Sequence, residues 1–329
     1  MNVKIKVEVL LICPVRDEGE RIVRLIDSLK RQTLLDWRVV IGDNASTDQT
    51  VAHVKQCSVG EPRIDLEMFQ KSVHVSENFK RTRNLALLRY EPKYVGYVGG
   101  DDQYSEVGYL ENLVGALKTG YSIAVPNFCL LDSDGRYCKN MPYPHFRRSK
   151  LFNRIMHSLN SSYGNIFYGL FRVEDFLRIS SDPRADLTEN LSSDWWFINT
   201  AFRVSNKPPK YVPSSTYFKY NKNISYSSNY YSGKELSGTN RRPAWRKVPV
   251  AMKSSVWNLT RAKLILRNIF VVPTEIIFKE PIRISKSEVP EFCFLWVILV
   301  VSRFLYVISP DFFYRVCSHP AHRIVADKK

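Results

Sequence analysis

Two adjacent aspartates, Asp101 and Asp102, follow the apolar run Tyr94–Val98 in a chain that is otherwise strongly basic. Neighbouring carboxylates repel each other, so such a pair needs either a counter-charge or free hydration. A divalent cation meets the first need: Mg2+ or Mn2+ is held by one or two carboxylates and completes its shell with water and substrate phosphates. Solvation in a loop meets the second. Two further acidic clusters stand earlier in the chain, Asp17–Glu18 within PVRDEGE and Asp43–Asp48 within GDNASTD. If all three meet at one edge, like charge is concentrated there, which favours the metal.

The elements between the clusters decide whether they meet. Val7–Cys13 is a short branched apolar run ended by Pro14, the pattern of a buried parallel strand. From Glu18 to Gln32 the apolar positions Ile22, Leu25, Ile26 and Leu29 recur at helical spacing. Trp37–Ile41 is a second strand; Ser46 or Thr47 is placed to cap a helix running to Cys57. A strand at Ile64–Phe69, a helix at Ser76–Tyr90 capped by Ser76, a strand at Tyr94–Val98, a helix at Glu106–Lys118 and a strand at Ser122–Pro126 complete the alternation. Alternating strands and helices imply an α/β fold with a mostly parallel sheet flanked by helices. Ligands bind such sheets beyond the carboxyl ends of the strands, where all three acidic clusters fall. Beyond Pro126 the pattern loosens into a hairpin about Asp134-Gly135, a short strand in NIFYGLFR, helices at Val173–Ile179 and Ser192–Val204, and a last strand in KYVPSSTYFKYN.

The chain has 329 residues, 44% of them hydrophobic, enough for a sizeable core, and a net charge of +16. Residues 240–329 hold 16 Lys/Arg against 6 Asp/Glu, so +10 of that charge sits in the last quarter. This points to a polyanionic surface as partner. Val248–Val272 interleaves Trp257, Leu264 and Phe270 with Arg261, Lys263 and Arg267, a basic amphipathic helix. Phe292–Ile308 is 17 residues long and interrupted by Arg303. With positive charge on both flanks, that segment reads as shallowly inserted in a membrane interface; a span and a packed helical pair are the alternatives. The expected organisation is a main domain over residues 1–232, in which the pattern changes near residue 126, and a helical extension over 233–329. Six cysteines without a Cys-x-x-Cys pair indicate free thiols, Cys129 and Cys138 being the pair that could face each other across the hairpin. The opening apolar stretch is too short for a signal peptide, so the expected location is the cytoplasmic side of the plasma (inner) membrane.

In this order the clusters resemble the motifs of family 2 glycosyltransferases of the GT-A fold, over roughly residues 7–225. CPVRDEGE is similar to the family's opening Pro-x-x-Asn-Glu segment, with Asp17 in the Asn place; GDNASTDQT is similar to its Asp-Asp-x-Ser-x-Asp motif, with Asn44 second. RTRNLAL, GGDDQYS, FYGLFRVEDFL and SSDWW follow in family order. One departure stands out. Many members carry Asp-x-Asp-Asp, and the first of those positions here is Gly99.

The resemblance implies an inverting, nucleotide-sugar-dependent transferase. Asp102 and Asp101 would hold Mg2+ or Mn2+ against the donor diphosphate. Asp43 would accept from the base edge, with Pro14, Val15, Arg16 and Glu18 lining the base and ribose pocket and Asn44 and Gly100 beside them. Arg83 would reach the nucleotide or lie on a solvated helix face, and Asp48 would shape its loop or cap a helix. The stretch Tyr217–Tyr220, with Lys219, could approach the diphosphate. Gly169, Trp195 and Trp196 fall near the sugar and acceptor. Inversion needs a base for the acceptor hydroxyl; the resemblance selects Asp194, with Glu189 in reserve. The acceptor it implies is a lipid-linked or other glycan in surface polysaccharide or lipopolysaccharide assembly, at an anionic membrane surface. Nucleic acid is not expected, because acidic loop tips repel phosphate. The rival classes are a basic membrane- or nucleic-acid-binding protein without catalysis, and a nucleotidyltransferase, for which a glycine-rich basic phosphate loop is missing.

Overall fold

The computed structural model describes residues 3–132, 135–140, 166–181, 193–205 and 207–220, with single positions at 293, 297, 300 and 301. The chain divides into two compact units, Met1–Arg154 with Ser162–Asn221, and Ile155–Ser161 with Lys222–Lys329. Almost all described residues belong to the first.

That unit is built on one nine-stranded sheet in the order β3-β2-β1-β4-β8-β6-β9-β5, with β7 pairing β6. The strands are β1 (Ile5–Val15), β2 (Trp37–Asp43), β3 (Ile64–Met68), β4 (Tyr90–Tyr97), β5 (Gln103–Tyr104), β6 (Ile123–Leu131), β7 (Tyr137–Asn140), β8 (Leu170–Arg172) and β9 (Lys210–Tyr220). The helices are α1 (Arg21–Lys30), α2 (Thr50–Ser58), α3 (Val75–Arg89), α4 (Tyr109–Lys118), α5 (Val173–Ser180) and α6 (Ser193–Val204). The first four strands in sheet order, β3-β2-β1-β4, are parallel. Beyond β4 the sheet is mixed: β8 runs antiparallel to both β4 and β6, β9 runs parallel to β6, and β5 is antiparallel to β9. The alternation of strand and helix is therefore a fair guide to the part of the sheet built by β3-β2-β1-β4, while the remainder departs from a parallel sheet.

The central strands are buried on both faces, as their unbroken apolar runs require. Val9, Leu10, Leu11, Ile12 and Cys13 of β1 are closed off from solvent, as are Val39, Val40 and Ile41 of β2. Helix α1 lays Ile22, Leu25, Ile26 and Leu29 on this core, the four positions its periodicity singles out. Helix α3 sits so close to β2 that a Cβ at Gly42 would run into Thr82, with Cγ2 at 2.7 Å and Cβ at 2.9 Å.

Caps differ from expectation. Ser76 does not cap α3; the cap is His74, whose Nδ1 accepts from the Ser76 N–H at 3.3 Å. At α2 neither Ser46 nor Thr47 caps, and Asp48 Oδ1 accepts from the Thr50 N–H at 2.9 Å. The hairpin between β6 and β7 sets Cys129 opposite Asn140, not Cys138, and Cys129 is a free, buried thiol.

Of the second unit only helical positions Cys293, Val297, Val300 and Val301 are described. The expected helix at Val248–Val272 and most of Phe292–Ile308 lie outside the described residues. Among the described residues no helix is long and apolar enough to cross a membrane.

Gly42→Ala should destabilise the protein by about 1–3 kcal/mol by forcing α3 off β2. Thr82→Ala in the same background should recover part of that loss. Urea unfolding of the three variants checks both, and an unchanged midpoint for Gly42→Ala would contradict the packing.

Candidate active site

The parallel register brings the acidic clusters to one edge. Val15 pairs with Asp43 across β1 and β2, and Ile12 pairs with Tyr97 across β1 and β4. The loops that leave these strands carry Arg16–Glu20, Asn44–Gln49 and Val98–Asp102. Each loop begins as a strand ends, so all three open on the carboxyl edge of the sheet.

The first two loops are tied by their own acids. Asp17 takes a left-handed backbone (φ 53°), a conformation that Asp and Asn tolerate better than other side chains with a Cβ. Its N–H donates to Ser46 Oγ at 2.9 Å, and its Oδ1 accepts from the Thr47 N–H at 2.8 Å. Ser46 in turn donates its hydroxyl to Asp43 Oδ1 and its N–H to Asp43 Oδ2 at 3.1 Å. The hydroxyl of Thr50 accepts from the N–H groups of Glu18 at 2.7 Å and Gly19 at 2.8 Å while donating to Asp48. These bonds hold Asp48 below its ordinary range against the effect of burial, which is the largest influence and raises it. The spacing of GDNASTDQT is thus largely a knot that fixes loop geometry.

Asn44 belongs to the same architecture. Its amide exchanges two 2.9 Å bonds with the Val73 backbone, and its Oδ1 also accepts from Arg81 at 2.6 Å. Its side chain therefore clips the loop before α3 in place. Arg83 is 5% exposed, which excludes the solvated-face alternative, and its guanidinium reaches Asn84 Oδ1 at 3.2 Å. Pro14 is half-buried, Val15 buried and Arg16 exposed, the last paired with Asp17 at 3.5 Å. Glu18 is buried and pairs with Arg21 at 3.2 Å. Gly100 is needed where it stands: a Cβ there would sit 2.5 Å from Val15 and 3.1 Å from Glu18.

The two aspartates have different surroundings. Asp102 is fully buried. Its Oδ2 accepts from the Tyr217 hydroxyl at 2.7 Å and faces Lys219 Nζ at 3.6 Å; its Oδ1 accepts from the Tyr220 N–H at 3.4 Å. The Tyr217 oxygen also accepts from the Gly99 N–H at 3.0 Å, so one phenol holds both ends of the loop. Burial pushes the Asp102 carboxyl up to about 6; Lys219 and the two hydrogen bonds pull it back, and Asp101 adds to the rise. Burial alone would lower the Lys219 ammonium, but Asp102, Tyr168 and Asp101 outweigh it and hold it above its ordinary value. The Lys219 side chain is 41% exposed, so this pair is screened and worth less than a buried one. Asp101 is half-buried and the less enclosed carboxylate.

A resident metal is tested by these donors. Among the described residues no group of three His, Cys, Asp or Glu side chains could hold an ion. Asp101 fits a Mg2+ or Mn2+ site that takes one carboxylate and is completed by water and substrate phosphate. Asp102 fits less well as a direct ligand, because protein donors and a lysine already occupy its oxygens.

Helix α6 and the segment before β8 are joined to this edge by aromatic rings. Tyr97, the last residue of β4, stacks on Phe167 at 4.8 Å and meets Phe197 of α6 at 6.0 Å. Phe197 also contacts Phe167 at 5.3 Å and Phe171 at 5.6 Å. This cluster anchors α6 at Phe197, the residue that follows Asp194, Trp195 and Trp196, whose side chains lie outside the described residues, as does Glu189. Gly169 stands where backbones approach: a Cβ there would meet the Ala124 carbonyl at 2.8 Å.

Sequence reasoning missed β5 and the contacts of Asp102. Strand β5 has only two residues, too short for any periodic signal. The alternation in β9 does put Tyr217 and Lys219 on one face, but what that face meets is 115 residues away for Tyr217.

Fold and edge together define an α/β protein of the GT-A type. Over residues 11–173 the chain matches glycosyl transferase family 2. Among solved structures it is similar to S. aureus TarS 1–349 in complex with UDP-GlcNAc, at 15% identity and a TM-score of 0.55, covering 97% of this chain and 90% of that one. The UDP complex gives 16% identity, a TM-score of 0.52 and the same coverages. A longer TarS chain gives 17% and 0.53 over 94% of this chain, which spans about half of it, 54%. At these identities the likeness carries the fold. No curated protein sequence matches the chain.

Thr50→Val removes the hydroxyl that serves two loops. Two part-buried N–H groups lose their acceptor, so the protein should lose about 1–3 kcal/mol of stability. Equal urea midpoints for wild type and variant would contradict the knot.

Proposed function

We propose that the chain is an inverting glycosyltransferase that moves a sugar from a nucleotide-sugar donor to a lipid-linked glycan at a membrane surface. The observation that carries the reading is the meeting of the β1, β2 and β4 loops at one edge, with Asp101 the less enclosed of the paired aspartates, in a chain whose residues 11–173 match glycosyl transferase family 2. The complexes of TarS with UDP-GlcNAc and UDP support a nucleotide-sugar donor on this fold.

In this reading Asp43, held by Ser46, uses a remaining lone pair to accept from the base edge. Pro14, Val15, Arg16 and Glu18 line the nucleoside pocket, with Asn44, Arg83 and Gly100 fixing its walls. Asp101 holds Mg2+ or Mn2+, with Asp102 behind it; when bound, the metal supplies positive charge for the leaving diphosphate. Asp194 at the start of α6 takes the acceptor proton, Trp195 and Trp196 stack on sugar faces, and Gly169 shapes the floor beneath them. Glu189 is the reserve base.

The experiment is sugar transfer with nucleotide binding measured alongside. Asp194→Asn should lower turnover by about 10²–10⁴-fold with nucleotide affinity unchanged. Asp101→Asn should weaken donor binding only when Mn2+ is present. Wild-type turnover in Asp194→Asn would move the base to Glu189; donor affinity equal to wild type in Asp101→Asn with Mn2+ would remove the metal from this site.

The membrane setting rests on the +10 charge and the amphipathic pattern of residues 240–329. Each Lys or Arg near an anionic surface contributes about 1 kcal/mol. The full chain should therefore sediment with anionic liposomes, and high salt should weaken but not abolish the binding. A protein left in the supernatant at low salt would place the acceptor, and the working site, away from the plasma membrane's cytoplasmic face.

A further inference from the structure

We propose that Lys219 binds the donor's diphosphate and that Asp102 is its resting counter-ion; this rests on the nucleotide-sugar reading above. The ammonium lies beside the β4 loop, 3.6 Å from Asp102 Oδ2. At that distance the contact is an ion pair rather than a formed hydrogen bond. Its closer contact is the Tyr168 hydroxyl at 3.2 Å, with the ring centroid of the same tyrosine at 4.5 Å. An ammonium carries three donors, so capacity is left for phosphate oxygens on the side that remains open to solvent.

Asp102 does not depend on the lysine for its place. The Tyr217 hydroxyl and the Tyr220 N–H bond it from the protein, and strand β5 pins the next residues to β9 by pairing Gln103 with Phe218 and Tyr104 with Tyr217. The lysine can turn away while the carboxylate stays satisfied. A cation is also what this edge requires. Glu18, Asp101 and Asp102 all raise the buried Cys13 thiol through their charge, after the larger effect of burial, so their field is felt through the end of β1. A diphosphate entering that field is repelled unless positive charge meets it. Lys219 supplies such charge from the chain itself, attached to strand β9, which leads directly into the C-terminal segment.

The two residues then have opposite effects on phosphate binding, and the gain from removing the carboxylate is larger with the lysine present than without it. Titration calorimetry on the full chain in EDTA reads it, with inorganic pyrophosphate, UDP and uridine as probes. Lys219→Met should weaken pyrophosphate and UDP about tenfold, as loss of a charge-assisted contact does, and leave uridine within about twofold. Asp102→Asn should tighten pyrophosphate and UDP severalfold, because the ammonium no longer faces a fixed carboxylate. The double variant Lys219→Met/Asp102→Asn has no stranded buried charge, so its loss relative to Asp102→Asn reads the lysine even if Lys219→Met fails to fold. Pyrophosphate affinity in the double variant equal to that of Asp102→Asn, or binding in Asp102→Asn weaker than in wild type, overturns the inference. Wild-type binding that needs Mn2+ overturns it too, while leaving the donor reading in place. A wild type that binds neither pyrophosphate nor UDP with Mn2+ present overturns that reading itself.

Discussion

Acids gathered by parallel strands must each find a donor, and this constraint organises the edge where the site lies. The register that sets Val15 beside Asp43 and Ile12 beside Tyr97 leaves the loops no choice about meeting. Repulsion among their carboxylates is avoided by trading hydrogen bonds between loops. Asp17 is satisfied by Thr47, Asp43 by Ser46, and Asp48 by Thr50, whose hydroxyl reaches back to the first loop. The polar atoms that look like a ligand-binding motif are in good part the motif's own scaffold. What they leave toward the outside is a rigid rim, which suits recognition of a flat base better than flexible side chains would, because little ordering entropy remains to be lost on binding.

The second half of the sheet completes the site from the other side. Strand β9 brings Tyr217, Lys219 and the Tyr220 backbone to Asp102, and the stacked rings of Phe128 and Tyr217, 4.8 Å apart, fix the phenol that makes the bond. The rings around Tyr97 do the same for α6. Both contacts converge on the end of β4, so this strand is where the halves are joined mechanically. A phenol that bonds both a buried carboxylate and a backbone N–H is also costly to disturb, since its loss leaves two buried groups without a partner.

The parallel half of the sheet was legible because its signals are local. Branched runs marked β1 and β2, the spacing of Ile22, Leu25, Ile26 and Leu29 marked α1, and each acidic cluster came where a strand ends. Caps were less legible: His74 is an uncommon cap, and the choice between it and Ser76 turns on one residue of backbone conformation. The sheet's change of direction beyond β4 was not legible, because the three residues of β8 carry no mark of the strand they pair with. For the candidate site, the sequence placed the acidic clusters at one edge, as the strand register does, but not the partners of each group there. Asn44 and Asp102 have the composition of ligand-binding residues, and only their long-range partners, Val73, Tyr217 and Tyr220, reveal that their polar atoms are engaged within the protein.

Gly99 has a consequence for how this sequence can change. A Cβ at that position would run into the inward-turned carboxylate of Asp102, with its Cγ at 3.0 Å and Asp101 Oδ1 at 3.2 Å. An aspartate at position 99 is therefore incompatible with the present rotamer of Asp102. The two positions are sterically coupled: a side chain at 99 requires a change at Asp102 or in the β9 residues that hold it.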